Sequence, residues 1–155
     1  MASRIEARLA ELGIVLPQAG APAANYVPFV RTGDLLFVSG QVCALSGKLS
    51  HVGKLGKDFS VEEGQKAARI CGLNLLAHLK NALDGDLDRV VRCVRLGGFV
   101  NCMPEFVDQP KVINGCSDLM VEIFGEAGRH ARTAVGTNAL PFDVAVEVEG
   151  CFEVR

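Results

Sequence analysis

The sequence contains no tryptophan and one tyrosine, and its 16 lysines and arginines are nearly balanced by 18 aspartates and glutamates. The basic residues form no cluster, so there is little positive charge to hold a nucleic-acid backbone. No apolar run is long enough to cross a bilayer. We therefore expect neither nucleic acid nor a membrane as a main partner.

Metal-binding and disulfide patterns are also missing. The six cysteines never have the two-residue spacing of a zinc or redox pair, and the three histidines are not paired at helical spacing. We expect reduced, mostly buried cysteines and no metal site. The first residues, Met1–Glu6, lack the apolar core of a signal peptide, which favours a cytoplasmic protein.

The remaining composition is that of a globular protein. Of its 155 residues, 49% are hydrophobic and 22% are charged. A chain of this length can bury a core without metal ions or disulfides. We predict one domain over residues 1–155, in which residues 1–20 form an N-terminal helix and a connector.

Three segments carry helix signals. Ser3 with Glu6, and Ser60 with Glu63, are capping boxes that precede apolar residues at helical spacing. Pro110 suits the first turn of a third helix. Glycines at positions 13, 85 and 125 predict where these helices end.

The strand signals lie between and after these helices. Residues 26–31 and 35–39 predict a hairpin, and residues 90–101 predict a strand with a bulge at Gly97-Gly98. Residues 131–137 and 143–154 predict a closing hairpin joined through Leu140-Pro141. Residues 44–59 have poor periodicity and predict a mobile excursion with room for a short edge strand. The expected fold class is α+β, with two main helices on one face of a mixed sheet.

The last strand suggests where a site lies. Its valines alternate with acidic residues, so that Glu147 and Glu149 point away from the core. Arg132 is surrounded by small residues across a short connection from Glu147. A guanidinium in open space suits a carboxylate, to which it can donate two parallel hydrogen bonds. Arg132 could equally be a surface residue or the partner of a glutamate.

These segments resemble a known family. The run Arg129–Val135, followed by Leu140-Pro141 and then Val146–Glu149, is similar to the closing signature of the RidA/YjgF family. Residues Gly33–Gln41 resemble the second strand of that family, and Asn114 falls where its second helix carries an asparagine.

The resemblance implies a chorismate-mutase-like (RidA-type) fold and a homotrimer with a cleft at each subunit interface. It also implies hydrolysis of reactive 2-imino and enamino acids to 2-keto acids and ammonia, without cofactor or metal. Arg132 would hold the substrate carboxylate and Glu147 would position or activate water. The implied substrate-binding residues are Tyr26, Ser39, Gly40, Asn114 and Ala134.

Other interpretations stay open. Tyr26, Ser39-Gly40 and Asn114 also suit a strand end, a turn and a helix surface, and Ala134 stands where many deaminases of the family carry cysteine. A non-catalytic protein that binds or senses a small carboxylate needs Arg132 but not Glu147. A ribonuclease is disfavoured by the acidic charge balance.

Overall fold

The computed structural model describes residues 3–21 and 24–155. Three helices, α1 to α3, and seven strands, β1 to β7, follow in chain order. They are α1 (Arg4–Glu11), β1 (Phe29–Thr32), β2 (Leu35–Val42), β3 (Ala44–Leu45), β4 (Lys48–Leu49), α2 (Val61–Ala82), β5 (Val90–Asn101), α3 (Gln109–Phe124), β6 (Ala131–Thr137) and β7 (Val146–Val154).

Helix starts follow the predicted capping. The Ser3 hydroxyl oxygen accepts from the backbone N–H of Glu6 at 3.1 Å, and that of Ser60 accepts from Glu63 at 3.2 Å. Both bonds satisfy backbone donors that the first helical turn leaves free. Pro110 lies in the first turn of α3, which ends at Gly125. The three helix predictions are confirmed.

The main sheet has the strand order β1-β2-β7-β5-β6. The first hairpin is confirmed, with Thr32 opposite Leu35. The closing hairpin was wrong, because β6 pairs in parallel with β5, and β7 runs antiparallel between β2 and β5. Helix α3 supplies the crossover that a parallel pair requires. Strand β6 is therefore an edge and β7 is central.

The predicted bulge at Gly97-Gly98 was also wrong. Both glycines pair regularly with β7, and the irregularities of β5 lie nearer its start, between Val90 and Arg92 and between Cys93 and Arg95. A Cβ on Gly98 would lie 2.6 Å from side-chain carbons of Ile113 on α3. The glycine permits a close approach between helix and strand rather than a kink.

The core lies between the sheet and helices α2 and α3. Val146, Val148, Phe152 and Val154 of β7 are buried on this side, as their alternation predicted. Helix α1 adds Ile5 to this core. At the start of α1, the Asp88 carboxylate accepts from the backbone N–H groups of Arg4 and Ile5. The opposite face of the sheet carries the acidic residues, and no helix of the described ranges covers it.

Residues 44–59 pack against the domain instead of forming a loose excursion. Strands β3 and β4 form a small hairpin, and Leu55 is fully buried. Its backbone N–H donates to Asn101 O at 2.9 Å, and its carbonyl accepts from the Met103 N–H at 3.1 Å. Sequence periodicity does not predict such hydrogen bonds between residues that are distant along the chain.

Three further observations concern the described ranges. No helix in them is long and apolar enough to span a membrane. No group of three or more His, Cys, Asp or Glu side chains in them could hold a metal ion. The six cysteines are free, and all but Cys151 are buried, as expected.

Candidate functional site

Arg132 lies half-buried on β6, on the side of the sheet that faces α3. Its Nη1 donates to Asn114 Oδ1 at 2.7 Å and to Ser117 Oγ at 3.2 Å. Among residues 3–21 and 24–155 it forms no salt bridge with a carboxylate. Its guanidinium thus keeps its charge for another partner, in a depression of about 280 Å³ that we call the arginine cleft.

A chain of hydrogen bonds supports this arginine. The His130 ring contacts Gly128 O through Nδ1 at 2.6 Å and Ser117 Oγ through Nε2 at 2.8 Å. Since a carbonyl can only accept, Nδ1 carries the proton and Nε2 accepts from the Ser117 hydroxyl. Burial lowers the pKa of His130, and the nearby Arg132 charge lowers it further, against the bond to Gly128. A neutral His130 thus orients the hydroxyl whose oxygen accepts from Arg132.

Glu147 lies on β7 and points to the helix-free face. It lines a depression of about 220 Å³, the glutamate cleft, together with Tyr26, Gly40 and Phe142. Burial, and then the negative charge of Glu149, raise the pKa of Glu147. A carboxylate with a raised pKa is better matched to proton transfer near neutral pH.

The backbone around the glutamate cleft is specialised. A Cβ on Gly40 would overlap the Glu147 carboxylate, so glycine leaves the space that this side chain occupies. Phe142 and Asp143 have φ of 58° and 56°. Non-glycine residues rarely adopt this region, and such strain concentrates at functional sites.

Two predicted residues lie elsewhere. The Ser39 hydroxyl donates to Val27 O at 2.7 Å and so holds the chain before β1, and the side chain lines a different depression beside Glu149. Ala134 is half-buried on β6, two residues after Arg132, and pairs with Gly98. Tyr26 and Gly40 are brought to Glu147, and Asn114 is brought to Arg132.

Arg132 and Glu147 do not meet within one chain. Strand β5 separates them, with Leu96 opposite Arg132 and Phe99 opposite Glu147. The two side chains also point to opposite faces of the sheet. The expected proximity across a short connection was wrong, because β6 and β7 are not neighbours. Within one chain the two side chains therefore lie in two separate clefts.

Ser117 and His130 were missed by the sequence reasoning. Ser117 follows Asn114 by three residues, which places both on one helix face, and His130 is two residues before Arg132. Helical spacing alone was enough to suggest Ser117 once Asn114 was chosen.

Comparison with known proteins now decides the family. Residues 6–150 match the family described as "YjgF/chorismate mutase-like, putative endoribonuclease". The chain belongs to this family. It is 50% identical over 153 residues to protein TCP17 of Trypanosoma cruzi, covering 98% of this chain and 95% of that protein.

Solved structures of the family agree with the fold. Atu1372 of Agrobacterium tumefaciens, of unknown function, is 50% identical with a TM-score of 0.91, covering 97% of this chain and 92% of its own. A "putative endoribonuclease" of Shewanella oneidensis is 40% identical with a TM-score of 0.93, covering 97% and 99%. The α+β, chorismate-mutase-like fold implied by the resemblance is confirmed.

Proposed function

We propose that this chain is a cofactor-independent deaminase that hydrolyses 2-imino and enamino acids to 2-keto acids and ammonia. The supporting observation is Arg132, whose guanidinium is held by two neutral oxygens and faces an open cleft. A preoriented guanidinium fork binds a carboxylate through charge-assisted hydrogen bonds, and carboxylates are common to this class of substrate.

The proposal includes a homotrimer in which each site is shared by two protomers. Arg132 and Asn114 of one protomer would face Glu147, Tyr26 and Gly40 of its neighbour. The separation of these two half-sites within one chain supports this arrangement. So do the apolar side chains on the helix-free face, where Phe37 is 47% and Val135 is 41% exposed.

The chemistry needs chiefly orientation and a route for one proton. Water attacks the imine carbon and gives a proton to the Glu147 carboxylate, while the C=N electron pair moves to nitrogen. Glu147 returns the proton to the leaving nitrogen. In the carbinolamine, Glu147 then takes the hydroxyl proton and passes it to the amino group, so that the C–N bond breaks and leaves the keto group and ammonia. An enamine first becomes the imine by gaining a proton on its terminal carbon and losing one from nitrogen.

The test is 2-keto acid release from freshly generated 2-aminoacrylate, compared with the spontaneous rate. We expect acceleration by the wild type and a loss of about 100-fold in kcat/KM for Arg132→Ala, since two charge-assisted bonds are removed. Arg31→Ala is the matched control, because this arginine is exposed and lines neither the arginine cleft nor the depression around Glu147. It should retain most of the rate.

Two other outcomes would favour a different function. Carboxylate binding that needs Arg132, without any accelerated hydrolysis, would identify a binding or sensing protein. RNA cleavage by the wild type would favour the endoribonuclease of the family description. With a formal net charge of −2 at pH 7, we expect no cleavage of RNA.

A further inference from the structure

A third cleft contains neither Arg132 nor Glu147. It has a volume of about 620 Å³ and lies beyond the carboxyl ends of β5 and β6. Lys54, Met103, Phe106, Gln109 and Thr137 are among its lining residues. We call it the Lys54 cleft. Its size lies within the range of pockets that hold small molecules.

A buried asparagine fixes Lys54 in this cleft. Lys54 Nζ donates to Asn101 Oδ1 and to Asn138 O, both at 2.5 Å. Asn101 is fully buried, and its Nδ2 donates to Asp143 Oδ1 at 2.9 Å, Val144 O at 3.1 Å and Gly53 O at 3.2 Å. The ammonium group is therefore tied to the core, and these contacts use two of its three N–H donors.

The charge of Lys54 is not neutralised within the part of the chain that the structure describes. Its two partners there are neutral oxygens, and no salt bridge involves it. Of the nearby carboxylates, Asp143 accepts from Asn101 and Asp58 accepts from the Lys54 backbone N–H at 2.9 Å, and neither forms a salt bridge with the Lys54 ammonium group. A fixed cation with one available donor is suited to an anion.

The walls beside this cation are apolar and already formed. Met103, Pro104 and Phe106 provide them. The Phe106 carbonyl accepts from Gln109 Nε2 at 2.8 Å, and a Cβ on Gly56 would lie only 3.4 Å from the Phe106 side chain. The two loops thus support each other, and little reorganisation is needed before a ligand enters.

We propose that the Lys54 cleft binds a second small organic anion, a carboxylate with an apolar chain or ring. Its carboxylate accepts from Lys54 Nζ, and its apolar part lies against Met103, Pro104 and Phe106. This site is separate from the arginine cleft and does not rest on the deaminase proposal.

Methionine methyl NMR of the intact assembly tests the proposal with octanoate as the probe. Met103 lines the cleft, whereas Met120 is fully buried in the core and serves as an internal reference. We expect octanoate to shift the Met103 methyl signal in a saturable way and to leave Met120 unchanged. The neutral analogue octanamide should bind about tenfold more weakly, because it lacks the charge-assisted bond.

Variants locate the binding. Lys54→Met should weaken octanoate binding by about tenfold and leave octanamide binding nearly unchanged. Lys57→Met is the matched control, since Lys57 is exposed in the same loop and does not line the cleft. Arg132→Ala should leave the Met103 response intact, whatever it does to deamination.

Three results would overturn the proposal: an unresponsive Met103 methyl, equal affinities for octanoate and octanamide, or a response that Arg132→Ala abolishes. If Lys54→Met does not fold, the affinities of the wild type for octanoate and octanamide still show whether the cleft prefers an anion.

Discussion

At the scale of single residues, the environment of Glu147 suits this carboxylate to the proton transfer proposed for it. Burial is the larger cause of its raised pKa, and the charge of Glu149 is the second. Glu149 is two residues away on the same strand face and is itself exposed. The two causes can be separated by mutation, because Glu149→Gln removes the charge while burial of Glu147 persists.

Glu149→Gln should therefore move the acidic limb of the kcat/KM profile to lower pH. The proposed base acts when deprotonated, so the rate falls as the pH drops through the pKa of Glu147. Removing a neighbouring negative charge makes deprotonation easier and lowers that pKa. Burial should still keep the limb above the ordinary glutamate pKa of about 4.3.

The control for this profile is Glu153→Gln, which removes a charge further along the same face of β7 and should not displace the limb. An acidic limb that stays in place in Glu149→Gln would mean that Glu147 is not the titrating base.

At the scale of elements, the contact between α3 and β5 is set by a glycine. The space that Gly98 leaves is filled by Ile113, whose neighbour Asn114 holds Arg132. Packing of this helix on this strand therefore also positions the arginine cleft. A side chain at position 98 would push against a filled core.

Gly98→Ala should lower the free energy of unfolding by about 1–3 kcal/mol, the usual cost of overpacking a core. Urea titration measures this. Combining it with Ile113→Ala should cost less than the sum of the two single changes, because the second removes the atoms that clash.

Gly20→Ala is the reference for this experiment, since no atom of the described residues lies within 4 Å of a Cβ there. It should be close to neutral. Additive costs in the double variant would show that the two residues do not share the same space.

At the scale of the whole molecule, the two proposed half-sites predict a functional dependence on assembly. Arg132→Ala damages one half-site of a protomer, and Glu147→Gln damages the other. When the two inactive variants co-assemble, a complete site forms wherever a Glu147→Gln protomer, which keeps Arg132, contributes the arginine and an Arg132→Ala protomer, which keeps Glu147, contributes the glutamate.

Random 1:1 mixing should restore about a quarter of the wild-type sites. At each interface the chance is about one half that Arg132 is present on one protomer and about one half that Glu147 is present on its neighbour. The variants are unfolded and refolded together, and 2-keto acid release is compared with that of samples refolded separately and then mixed. Sedimentation of the wild type should give a trimer. Without recovery of activity in a co-refolded trimer, a site shared between protomers is excluded.

Much of this protein follows from local sequence. Ser3 and Ser60 mark helix starts because capping acts over three residues, and the valines of β7 mark a buried face because strand side chains alternate. The family signature also led to Arg132, Glu147 and Asn114 as candidates. In each case the informative residues are close together along the chain.

What only the tertiary structure decided involves residues that are distant in sequence. Strand β7 lies between β2 and β5 rather than beside β6, and Lys54 is held by Asn101, 47 residues away. Such pairings depend on which surfaces meet when the core closes, and spacing along the chain does not encode this. The sequence by itself determined the helices, the buried faces and the candidate residues. The packed sheet decided that Arg132 and Glu147 lie in two separate clefts.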